Sequence, residues 1–247
     1  DGIRGQPRSR GLGDVYKRQL HLCLEFVQKN PIKLVVLHGD TLVENPVIRA
    51  YCDSFLKKLQ TWSEKEKLNV EIVVYTPESD RTFWVNLIGK GYPMPSFRFR
   101  WCQKHLKIKP AEKILEKHNK GVLFVGMRMD ESIERKNSMK KRINNMELQS
   151  NGKMRVFAPM HDWTEADIWE FLLTHTPFWG GDYSELINLY KEAKGECPLI
   201  PDPLHKSTGC GPRFGCWVCS VVRKDKTLKN LSLIHISEPT RPRLISY

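Results

Sequence analysis

No stretch of the 247 residues is apolar over the roughly 20 positions that a membrane helix needs. No secretory signal pattern is visible either, so a cytoplasmic protein with no membrane partner is the expectation. Internal repeats and low-complexity tracts are absent, which excludes solenoids and fibrous classes. Acid is scarce beside base: 28 Asp and Glu face 40 Lys and Arg, a formal charge of +12. That excess favours a polyanionic partner, nucleic acid or nucleotide, without choosing between them. Cysteine is sparse along most of the chain. Its total of seven is odd, and Cys23 and Cys52 fall within apolar helical patterns. A secreted disulfide framework is thereby excluded, and a reducing compartment is expected.

What is present is a late concentration of thiols. Cys197, Cys210, Cys216 and Cys219 are separated by twelve, five and two residues. The C-x-x-C pair lets two thiolates share one centre, so the quartet forms a candidate metal site. Iron–sulfur and structural zinc both accept four thiolates. Zinc sites usually show two tight pairs and this segment has one, so iron–sulfur is favoured and zinc stays open.

The two ends read as foreign. Residues 14–19 are Asp-Val-Tyr-Lys-Arg-Gln, and residues 231–236 are Leu-Ser-Leu-Ile-His-Ile. One spelling of the first is GAT GTG TAT AAG AGA CAG, whose reverse complement encodes the second. This relation matches a transposon-end adapter read through on both sides. Residues 1–19 and 231–247 are therefore expected to be non-native tails outside the fold. Residues 20–180 are expected to form an α/β domain, and 181–230 a helix followed by the Cys-rich segment.

Within 20–230, strands and helices alternate. Leu20–Lys29 has the pattern of the back half of an amphipathic helix, and Ile32–His38 that of a buried strand. Asn45-Pro46 opens a helix to about Lys67. Val70–Tyr75, Gly121–Val125 and Arg155–Ala158 read as further strands. Asp80–Ile88, Pro110–His118, Thr164–Thr174 and Asp182–Ala193 read as helices, with Thr164 as N-cap and Asp167 at the third helical position. The fold class expected is α/β, with a Rossmann-like, mainly parallel sheet flanked by helices. Such sheets bind ligands at the carboxyl ends of their strands.

Three constellations are candidates for chemistry. Asp40 and Thr41 follow a strand and precede a helix, where a carboxylate can hold a ribose hydroxyl or Mg²⁺, and where a capping turn is the plainer reading. Gly126 permits a sharp turn, Arg128 and Arg135 can clamp phosphate oxygens, and Ser132 can complete an anion nest beside Glu131. An ordinary helix start with a Glu131–Arg135 pair explains the same residues. Cys102 sits among cations and aromatics in Phe97-Arg98-Phe99-Arg100-Trp101-Cys102-Gln103-Lys104. Neighbouring cations are expected to favour its thiolate, which suits a sulfur-handling catalytic cysteine or a further cluster ligand. A buried structural cysteine is the alternative.

Together these stretches resemble the phosphoadenosine phosphosulfate (PAPS) reductase family of the adenine-nucleotide α-hydrolase superfamily. The resemblance rests on Asp40-Thr41 through Pro46, on Arg100-Trp101-Cys102 with Lys107 to Pro110, on Gly126-x-Arg128-x-x-Glu131-Ser132, and on Pro159 through Trp169. Within that family, Asp40–Pro46, Thr82–Pro93 and Arg213–Cys219 are similar to the DndC-like sulfurtransferases of bacterial DNA phosphorothioation. That likeness implies a [4Fe–4S] protein that uses ATP with Mg²⁺ to activate the DNA backbone. DNA, a cysteine desulfurase as sulfur donor and other Dnd proteins would be its partners. It further implies that Asp40, Thr41, Gly126, Arg128, Glu131, Ser132 and Arg135 hold the nucleotide. The four late cysteines would hold the cluster, with Cys102 a competing ligand or the sulfur carrier. The superfamily's Ser-Gly-Gly-Lys-Asp-Ser phosphate loop is absent from the sequence, so the chain as given is expected to lack ATP cleavage. The rival expectations are a PAPS or adenylylsulfate reductase of sulfate assimilation and a zinc-stabilised nucleic-acid-binding module.

Overall fold

The computed structural model describes residues 14–96, 98–118, 121–129, 137, 139–140, 143–144, 147–148, 155–194 and 215–220. Helix α1 (Asp14–Lys29) leads into strand β1 (Leu34–Gly39), helix α2 (Pro46–Lys65) and strand β2 (Val70–Tyr75). β1 and β2 pair in parallel, with Leu34 opposite Val70 and Gly39 opposite Tyr75. The crossover between them is α2, as a parallel pair requires. A second sheet has the order β3-β6-β5-β4, where β3 is Val122–Phe124, β4 Ile143–Asn144, β5 Glu147–Leu148 and β6 Arg155–Phe157. β3 and β6 are parallel, and β4 and β5 add an antiparallel edge. The architecture is α/β, with parallel strands flanked by helices, as expected. The departure is that the described strands form two sheets instead of one.

Most element boundaries follow local chemistry. Asn45 caps α2 through its side chain, which accepts from the Val47 amide at 3.0 Å, and Pro46 occupies the first turn. A proline there is preset for helix and withholds only an N–H that would be orphaned anyway. Asn45→Ala is expected to lower stability by about 1 kcal/mol, read as a shift in urea midpoint with unchanged slope. Helix α5 (Glu165–Thr174) opens on the expected capping box. Thr164 Oγ1 accepts from the Asp167 amide at 3.2 Å, and Asp167 Oδ2 accepts from the Thr164 amide at 2.7 Å.

The main core lies where α2, α5 and helix α6 (Ser184–Lys194) meet. Ile48, Met160, Ile168, Trp169, Leu172 and Tyr190 are buried together there. Trp169 and Tyr190 meet edge to face, with ring centroids 5.0 Å apart. Helix α1 packs against α5. It starts at Asp14, so part of the stretch expected to lie outside the fold is helical. Among the described residues, no helix is long and apolar enough to cross a membrane.

The segment between β2 and β3 departs from expectation most. Instead of one helix over Asp80–Ile88, there is a 3₁₀ turn at Ser79–Arg81 and a π-helical turn at Val85–Gly89. Helix α3 (Trp101–Gln103) continues through a second π-helical turn, Lys104–Ile108, into α4 (Lys109–Lys117). Widened turns of this type occur mainly at functional sites. Both belong to a second core built on Val43, Phe83, Trp101 and Leu106.

Candidate functional site

The second core gathers two of the described thiols. Cys102 and Cys216 both pack against it, together with Leu87, Tyr92 and Val218. Four separate chain segments converge there: the loop after β1, the first π-helical turn, α3 with the second π turn, and the C-x-x-C segment. Trp101 is the keystone. Its ring stacks on Phe83 with centroids 5.3 Å apart and meets Tyr92 edge to face at 5.5 Å. Its indole N–H donates to the Pro93 carbonyl at 2.8 Å, so the one polar atom of a buried side chain is satisfied.

The loop after β1 is held tightly. A Cβ at Gly39 would lie 2.7 Å from the Tyr75 ring, which is why the strand ends in glycine. Asp40 Oδ1 accepts from the Leu42 amide at 2.7 Å, and Asp40 Oδ2 pairs with Arg49 at 2.9 Å. Leu42 sits at φ +63°, in left-handed backbone that a leucine seldom adopts. Asp40 thus shapes the loop through both oxygens.

That shape docks the C-x-x-C segment. Glu44 and Cys216 form an antiparallel bridge, and the Trp217 amide donates to the Val43 carbonyl at 3.1 Å. Thr41, almost fully buried, places its Oγ1 3.6 Å from Cys216 Sγ. The Cys219 amide donates to the Cys216 carbonyl at 3.1 Å, closing a turn that holds the two thiols side by side. Ser220 Oγ donates to the Pro95 carbonyl at 2.5 Å and fastens the far end.

The electrostatics separate these thiols. Burial pushes Cys216 up, while Lys107 and the Thr41 hydroxyl oppose it by favouring the thiolate. Cys102 is also pushed up, by burial first and then by Cys216 and Cys219. This corrects the expectation that adjacent Arg and Lys would make Cys102 the acidic thiol. The cations of its segment do not offset the loss of water and the nearby thiols. Burial holds Glu44 above the ordinary carboxylate range, with Lys107 opposing. Lys107 therefore stands between a carboxylate and a thiol, a role not read from the sequence. Cys23 and Cys52 are both pushed up to about 11 by burial, as suits structural thiols.

The remaining site residues divide. Gly126 and Arg128 are buried after β3. The Met129 amide donates to the His161 carbonyl at 2.7 Å, and the Arg128 charge acts on Asp167 at the start of α5. Glu131, Ser132 and Arg135 lie outside the described residues, as do Cys197 and Cys210. Among the described residues, no three His, Cys, Asp or Glu side chains stand close enough to hold a metal ion. Cys102, Cys216 and Cys219 therefore do not make a closed iron–sulfur or zinc site by themselves. What they offer is a group of thiols, two of them half-buried and Cys219 exposed, at the carboxyl end of a parallel strand.

Residues 18–221 match the model of the phosphoadenosine phosphosulfate reductase domain. The chain is 22% identical over 194 residues to a phosphoadenosine 5′-phosphosulfate reductase of Xanthomonas oryzae pv. oryzae (strain PXO99A), covering 77% of this chain and 74% of the relative. It is 25% identical over 193 residues to the protein of the same name from Xylella fastidiosa (strain M12), covering 76% and 71%. A solved phosphoadenylyl-sulfate reductase from Candida auris, in complex with phosphate, is a loose structural neighbour. Its TM-score is 0.38 and its identity 11%, over 66% of this chain and 79% of that one. The curated relatives are named for reduction of a small nucleotide ester. That overturns the expectation of a DndC-like enzyme that uses ATP to place sulfur on DNA, and favours its rival from sulfate assimilation.

Proposed function

Because the chain belongs to the phosphoadenosine phosphosulfate reductase domain family, we propose that it carries the thiol centre of a reductase acting on a nucleotide phosphosulfate ester. One observation carries the reading. The C-x-x-C segment is strapped to the loop at the carboxyl end of β1, with Thr41 Oγ1 3.6 Å from Cys216 Sγ. That end of a parallel strand is where α/β folds bind nucleotides.

In this reading Cys216 attacks the sulfate sulfur as the thiolate, which Lys107 and the Thr41 hydroxyl support against the burial that raises its pKa. A sulfur–sulfur bond forms, the sulfur–oxygen bond to the nucleotide phosphate breaks, and the nucleotide leaves with both electrons of that bond. Cys216 then carries a sulfonate. Cys219, held beside it by the turn, attacks Cys216 Sγ as a thiolate. A disulfide forms and sulfite leaves. The sulfur has gained two electrons and the cysteine pair has lost two, which an external dithiol restores. No ATP is cleaved in these steps. Burial of Cys216 keeps water from the reacting sulfur.

The test is sulfite release from phosphoadenosine phosphosulfate with dithiothreitol as reductant. Sulfite equal to nucleotide product, and a sulfonate mass on the Cys216 peptide when Cys219 is replaced by serine, are expected. Absence of both would overturn the reading. Running adenylyl sulfate in parallel determines whether a 3′-phosphate on the nucleotide is required.

A further inference from the structure

The first turn of α1 lies in a seat that its side chains do not suit. Lys17, Arg18 and Gln19 are consecutive, and only 6%, 5% and 8% of their surfaces are exposed. Lys17 Nζ is 2.6 Å from the ring centre of Phe55, 4.7 Å from that of Tyr51 and 5.7 Å from that of Trp179. The Arg18 guanidinium carbon is 2.7 Å from the ring centre of Trp163 and 4.2 Å from that of Phe171. The walls are aromatic faces from α2, α5 and the loops that flank α5.

Burial of this kind requires partners, and most are missing. Lys17 Nζ, Arg18 Nε and Gln19 Oε1 are buried without a hydrogen bond. One Arg18 nitrogen reaches the Asp167 carbonyl at 2.7 Å. The groups whose charges act on Lys17 are Cys52 and Lys58 from α2 and Glu185 from α6; it also acts on His38 in β1. Glu185 already pairs with Lys58 at 3.6 Å. Each orphaned buried polar atom is destabilising, and three in succession is a mismatch of sequence to site. A cation–π cage is the rival reading. However, Lys17 Nζ, Arg18 Nε and Gln19 Oε1 still lack hydrogen-bond partners, and desolvation is the dominant influence on Lys17. The hexapeptide Asp14–Gln19 is also one that has a possible DNA spelling whose reverse complement encodes residues 231–236, a relation independent of packing.

We infer that the surface formed by Tyr51, Phe55, Trp163, Phe171 and Trp179 is a receptor for an apolar helical turn, and that aliphatic side chains at 17, 18 and 19 are its fitting occupants. The inference stands apart from the reaction assigned above, because it is read from stability alone.

The test compares the chain with its Lys17→Met, Arg18→Leu, Gln19→Leu variant in thermal melts at pH 6, 7.5 and 9. Burial lowers Lys17 to about 6 in the folded chain, from about 10.5 unfolded. Between those values the unfolded state binds the extra proton, so the parent gains stability as pH rises through this window. The variant is expected to melt at least about 5 °C higher at pH 7.5. Its advantage should shrink toward pH 9, because the parent recovers there and the variant has no amine to titrate. His21, buried, and His38, half-buried, are common to the two proteins and largely cancel in the difference. The single Lys17→Met variant repeats the pH test without touching Arg18. A melting point equal to or below the parent's, or a difference that does not change with pH, would show that the rings hold the cations productively and would overturn the inference.

Discussion

Cys216→Ser is expected to lower sulfite release by at least about a thousandfold, while leaving the melting temperature within a few degrees of the parent. The side chain is the attacking group in the proposed reaction, so nothing else at the site can take over its bond-forming step. A hydroxyl of nearly the same size preserves its contact with Thr41 and the bridge to Glu44. Cys219→Ser should behave differently. The first half-reaction survives, nucleotide product appears once per chain, and the sulfonate stays on Cys216 until external thiol removes it. A single-turnover assay that measures nucleotide and sulfite separately distinguishes the two roles. Equal, partial loss in both variants would remove the division of labour between the two thiols.

The second large effect is structural. Trp101→Ala is expected to lower stability by roughly 3–5 kcal/mol, the usual range for deleting a buried tryptophan. Trp101 is only 5% exposed and touches Phe83, Tyr92 and His105. Its loss also frees the Pro93 carbonyl. Because the second core positions Cys102 and Cys216, the variant should lose ordered thiol geometry before the main core melts. Urea unfolding followed by thiol accessibility should show Cys216 becoming reactive at lower urea than the far-ultraviolet signal is lost. A single coincident transition would mean that the two cores unfold as one.

The sequence made the local features legible and the long-range ones illegible, for physical reasons. The Asn45-Pro46 start, the Thr164–Asp167 capping box and the β-branched runs of β1 and β2 are each written within a few neighbouring residues. The two-residue strands β4 and β5 are too short to show any period, and their pairing depends on their partners. The π-helical turn at Val85–Gly89 lies in a stretch that reads as ordinary helix, and the one at Lys104–Ile108 lies in a stretch with no helix expected. Phe83, Asn86 and Leu106 have plain helical spacing, and what widens the turns is packing around Val43 and Trp101. At the site, the residue types were visible but their neighbours were not. Cys102 lies among cations in sequence, yet in space it faces burial and two other thiols. Asp40 is visible in the sequence by its place after a strand, but its partners, the Leu42 amide and Arg49, are not. Lys107 belongs to a stretch that carries the family resemblance, but only folding brings its charge to bear on both Glu44 and Cys216.

The contact of Thr41 with Cys216 spans 175 positions, and that of Ser220 with Pro95 spans 125. Contacts this distant in sequence form only after the intervening chain has been gathered, because closing a long loop carries an entropic cost that earlier contacts must offset. The thiol centre is therefore a late event in folding. On a ribosome, the loop after β1 and the second core emerge well before Cys216 and Cys219, and wait as an open edge. Cys216 and Cys219 then arrive after them, and meet Thr41 and Val43 only once the intervening chain has been gathered.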